Sequence, residues 1–109
     1  MNPVLYLAQR GTAFILAFAV TVHLITIIYA VRGGLTAGEI LARTHGNRAF
    51  LAFYLTFVVA ASIHAPIGLR SVLREWLHWR GRSLDVLLAL FSISLVILGV
   101  RAALAVYGA

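Results

Sequence analysis

Two runs of 21 residues without a formal charge, 11–31 and 49–69, constrain this chain more than any other feature of its sequence. About 20 apolar residues are enough for a helix to cross the hydrocarbon of a bilayer, so each run reads as a membrane span. A third span is expected over about 84–107, with Ser83 placed to cap its N-terminus and Asp85 in its first turn. Arg101, near the far end, can snorkel to the interface. The first run does not read as a secretory signal peptide: it is too long, polar at its centre and without an A-x-A cleavage pattern. Composition points the same way, since 109 residues that are 62% hydrophobic and 11% charged hold more apolar surface than a soluble core of this length could bury. The expected architecture is all-α, one integral membrane domain over 1–109 with three transmembrane helices.

Charge gives the orientation. Net charge is +6, from nine basic residues, all Arg, against three acids. On a membrane chain this is flanking charge, not a nucleic-acid footprint. Arg10, Arg70, Arg74, Arg80 and Arg82 fall on one side of the spans, and Arg32, Arg43 and Arg48 on the other. The positive-inside rule therefore puts the N-terminus and the second loop in the cytoplasm and the C-terminus outside. In the first, outer loop, Thr36 and Glu39 have capping-box spacing, which predicts a short surface helix over 37–44.

Ionisable groups at hydrocarbon depth are costly and mark function. Two His qualify. At ~1.5 Å per residue, His64 lies roughly 9 Å inside the cytoplasmic edge and His23 roughly 20 Å from it. Imidazole is the standard axial ligand of b-type haem, which needs no Cys, and this chain has none. The bland alternative is that each imidazole hydrogen-bonds a neighbouring helix. A difference of roughly 11 Å in depth argues against both His reaching one iron within this chain, so each is expected to face another subunit. Pro66 cannot donate to the Ser62 carbonyl and should bend the second span beside His64, where Ala60, Ala61, Ser62 and Ala65 leave room for a flat macrocycle or a close helix. His45 and His78 read as solvated surface residues.

The string from His64 through Gly68, Arg70 and Glu75 to Trp76 resembles the signature of the succinate dehydrogenase and fumarate reductase cytochrome b membrane-anchor family. There a transmembrane His is followed by Gly at the fourth place, often by Arg two residues later, then by an acid and an aromatic at the helix end. The family usually has Asp-Tyr where this chain has Glu75-Trp76. Its other signature, His-Arg-x-Ser/Thr-Gly before the first span, is matched in part by Gln9-Arg10-Gly11-Thr12. The resemblance covers nearly the whole chain in layout, while about fifteen residues carry specific motif.

That resemblance implies haem b held by His64 and, in the two-haem branch of the family, a second haem held by His23, each shared with a partner chain. It also implies a quinone near Arg10, Thr12 and Tyr6 at the cytoplasmic interface, with Arg70 and Trp76 close to the cofactors. An Arg suits the site because a quinone oxygen gains negative charge on reduction. The implied partners are a flavoprotein subunit, an iron–sulfur subunit and a second membrane-anchor subunit, in the inner membrane of a cell. The chain has no dinucleotide fingerprint and no Cys for clusters, so its own part would be electron transfer to quinone, not succinate oxidation. The 74–82 segment reads as an interface anchor that docks an extrinsic subunit or binds anionic lipid. Two rival readings stay open: a non-redox membrane scaffold or transporter subunit, and the b-type cytochrome anchor of another dehydrogenase.

Overall fold

The computed structural model describes residues 2–108, and among these there is no β-strand. Four helices follow in order: α1 (Pro3–Gly33), α2 (Ala37–Thr44), α3 (Arg48–Trp76) and α4 (Arg82–Tyr107). Helices α1, α3 and α4 are long and apolar enough to cross a membrane. They lie side by side in a rod of 47 × 23 × 22 Å, with α3 central and packed against both others.

The helices outrun the charge-free runs that announced them. Pro3 occupies the first turn of α1, where its missing N–H is no loss, and the Asn2 side chain accepts from the Val4 N–H. Helix α3 continues past Leu69 to Trp76, so Arg70 and Arg74 are helical residues instead of loop residues. Charge marks where lipid ends; backbone hydrogen bonding continues beyond it. The expected cap at Ser83 is corrected by the structure. Helix α4 begins at Arg82 after Gly81, whose φ of 96° makes the turn, and the Ser83 hydroxyl instead accepts from the Trp79 indole N–H at 2.8 Å. Helix α2 starts at a complete Thr36–Glu39 capping box, in which the Thr36 hydroxyl, then its N–H and Arg43, hold the Glu39 carboxyl below its ordinary range.

Helix α1 shows how the bundle is sorted. Leu5, Gln9, Thr12, Leu16, Ala19 and His23, continuing to Thr26 and Ala30, are buried or partly buried. They recur at alternating steps of four and three, the spacing that keeps one seam facing a partner helix. Phe14, Phe18 and Tyr29, by contrast, are about 70% exposed. Apart from Leu5 and Leu16 the seam is made of polar and small residues, while the aromatic side chains of α1 lie outside, the reverse of a soluble helix and the sorting that lipid favours. At the α3–α4 contact the small residue is Gly99, where an added Cβ would come within 2.6 Å of Val58. Helix α3 runs unbroken through Pro66, and the Ser62 carbonyl that Pro66 cannot serve accepts from the Ser92 hydroxyl of α4 at 2.8 Å.

Candidate functional site

Both membrane histidines lie on the α1–α3 seam, on different rungs. His64 of α3 meets Thr12 of α1, with Nδ1 3.4 Å from Oγ1. His23 of α1 meets Tyr54 of α3, with Nδ1 3.4 Å from the phenol oxygen. The two helices are antiparallel, and Thr12 and His23 are eleven residues apart, so the rungs are separated by about 16 Å of helix. One iron cannot serve both imidazoles within this chain.

The hydrogen-bond network treats the two rings differently. The Thr12 hydroxyl gives its only proton to the Ala8 carbonyl, at 2.7 Å, and leans toward Gln9 O at 3.1 Å. Its oxygen is then left to accept, a pairing that favours the His64 tautomer with its proton on Nδ1 and with Nε2 unprotonated. A neutral ring with its other nitrogen held by an acceptor is the form in which His ligates a metal. Tyr54 has no such prior commitment, so either tautomer of His23 satisfies that pair. His23 is also boxed edge-on by Tyr54 and Phe57, with ring centroids 5.9 and 5.7 Å away.

Beside the Thr12–His64 rung, a shallow apolar groove of about 330 Å³ runs between Ile15 of α1 and Thr56, Val59, Ala60 and Ile63 of α3. The space left by the absent side chain of Gly68, one turn beyond His64, is filled by the Gln9 amide, 3.4 Å from where a Cβ would stand. Thr12 lines this groove and His64 does not, so the rung offers a haem one imidazole as its donor set, without an apolar wall that the imidazole itself shares. Among the described residues no three His, Cys, Asp or Glu side chains come together, so any metal held here needs a ligand from elsewhere.

The residues grouped near a quinone divide into three places. Arg10 and Tyr6 are one pair: the guanidinium donates to the Tyr6 oxygen at 3.0 Å, on the exposed face of α1. Thr12, two residues on, is turned about 200° from Arg10 and is buried at 7% exposure against α3. Arg70 reaches across to α4 and pairs with Asp85 at 2.7 Å, while Trp76, at the end of α3, is 79% exposed. The partner of His23 went unforeseen in the sequence. Its signal was present, since Tyr54 precedes His64 by ten residues and His23 follows Thr12 by eleven, so pairing the second couple antiparallel aligns the first.

No family model, curated protein or solved structure matches this chain.

Proposed function

We propose that this chain is the membrane-anchor cytochrome b subunit of a succinate:quinone oxidoreductase, a succinate dehydrogenase or fumarate reductase, with its N-terminus on the cytoplasmic side of a cell inner membrane. The observation that carries the reading is the contact of His64 with Thr12: an imidazole on a membrane-spanning helix has Nδ1 3.4 Å from a hydroxyl that already donates to its own helix, a pairing that favours the tautomer with Nε2 able to ligate. His64 would supply one axial ligand of haem b and a second anchor chain the other. When bound, the haem supplies a one-electron redox centre close to the quinone.

The rest of the work belongs to this chain's own side chains. Tyr6 accepts from Arg10, which leaves the phenol O–H and the remaining guanidinium N–H groups free to donate to one quinone oxygen. Fixed donors at the edge of the hydrocarbon stabilise the negative charge that this oxygen gains, and both residues are exposed, so a proton can arrive from water. The flavoprotein and iron–sulfur subunits implied by the sequence resemblance would dock on the arginine-rich end. His23 favours the rival reading, a non-redox scaffold, at its own rung only: it is packed against aromatic rings and paired with Tyr54, as helix-bridging polar residues are.

The test is a reduced-minus-oxidised spectrum of the purified complex with haem-to-protein ratio. Wild type is expected to show a b-type band that falls in His64→Ala. A stable complex without any band would overturn the reading. His23→Ala then separates one haem from two.

A further inference from the structure

At the arginine-rich end, a basin of about 550 Å³ opens between the start of α1, the last turns of α3 and the turn into α4. Its lining includes Arg70, Arg74, Arg80 and His78, with Asn2 and Ser71 as neutral donors and Glu75 as its one acid. Arg70 is held by Asp85 of α4, and this is the sole ion pair among the described residues, so Arg74 and Arg80 have no acidic partner there. Arg74 and Arg80 are thus gathered with only Glu75 against them in the lining, an arrangement that an anion stabilises.

The rim is built. His78 sits at φ 52°, a left-handed conformation that costs a residue other than Gly. The Trp79 N–H turns back to the Leu73 carbonyl at 3.2 Å, and the Trp79 indole is fastened to Ser83. Arg70 comes directly after the second charge-free run, so the basin lies where hydrocarbon gives way to water. Beside it Trp76 and Leu77 are 79% and 65% exposed, and Leu5 joins the lining. An aromatic and an aliphatic side chain exposed at this depth suit acyl chains and glycerol, while the guanidinium groups suit phosphate.

We propose that this basin seats the phosphate head group of an anionic glycerophospholipid, with Arg74 and Arg80 as its principal contacts and Arg70 held in place by Asp85. Its residues are separate from the His64 rung and from the Arg10–Tyr6 pair, and it shares the arginine-rich end with the docking surface of the redox reading.

The experiment measures lipid binding to the purified complex by thermal stabilisation, titrating phosphatidylglycerol, phosphatidylcholine and inorganic phosphate in detergent. Phosphatidylglycerol is expected to stabilise the wild type more than phosphatidylcholine does. Its apparent affinity should fall about fivefold for each of Arg74→Gln and Arg80→Gln, and on the order of thirtyfold for both. Arg32→Gln with Arg48→Gln, at the opposite end, should leave it unchanged and controls for general charge loss. Equal stabilisation by the two lipids, or an anionic preference that survives the double variant, overturns the proposal and leaves the basin to a docking protein. Inorganic phosphate matching the anionic lipid also overturns it, by making this a free-anion site.

Discussion

Thr12 has one proton and gives it to its own helix, which is why it can instruct the imidazole opposite. Replacing it with Val keeps the shape and removes the acceptor, leaving the His64 Nδ1–H unpaired in the seam. Losing such a supporting contact typically weakens metal binding by about 10- to 100-fold. Thr12→Val is therefore expected to lower haem retention by at least about tenfold on dilution and to shift the His64 ring ¹⁵N resonances of the haem-free chain. Thr12→Ser, which keeps both hydrogen bonds, should restore both readouts. An unchanged tautomer in Thr12→Val would show that the seam does not set it. At this scale the sequence was informative about single residues and about the Thr36–Glu39 pair, close along the chain, and less so about pairs between helices. His64 and the carbonyl orphaned by Pro66 could be read directly, because depth and proline chemistry are local. Ser92 could not, since the hydroxyl that serves Ser62 is 30 residues away and nothing near it signals the partner.

Between elements, small residues set the spacing. Helix α4 meets α3 where Gly99 lets its backbone reach Val58, and a side chain at 99 has nowhere to go on an intact bundle. Gly99→Leu should push α4 away and destabilise the chain by about 1–3 kcal/mol, the usual cost of overpacking, read as a lower melting temperature in detergent. Val58→Ala in the same chain should recover part of the loss; no recovery would mean that the two helices do not meet there. Existence and number of the three long helices were legible from apolar runs, because lipid demands length and the near absence of charge. The bounds of α2 and the last residue of α4 were legible too, but the two ends of α1, the last turns of α3 and the start of α4 were not. Asn2 and Pro3 start α1, and Gly81 starts α4, through turn geometry that hydropathy does not register.

As a whole the molecule is a rod of three long helices with much of its apolar surface uncovered. The positive-inside reading of its arginines predicts which end faces the cytoplasm, and the chain is convenient for the test because it contains no Cys. Single-cysteine variants Gly38→Cys and Arg82→Cys, at opposite ends, should react differently with a membrane-impermeant thiol reagent in intact cells. Gly38→Cys is expected to label at once and Arg82→Cys only after permeabilisation; the opposite pattern would invert the topology and move the proposed quinone and lipid sites to the outer face. The sorting seen in α1 has a further consequence for how such a chain changes over time. Lipid asks of Phe14, Phe18 and Tyr29 only that they stay apolar or interfacial, so these positions can drift among many side chains at little cost. Gln9, Thr12, Ala19 and His23 each meet a specific neighbour or fit a narrow gap, and most exchanges there are penalised. What is particular to this protein is thus written in a thin line of small and polar residues, and two chains could share that line while agreeing at few other places.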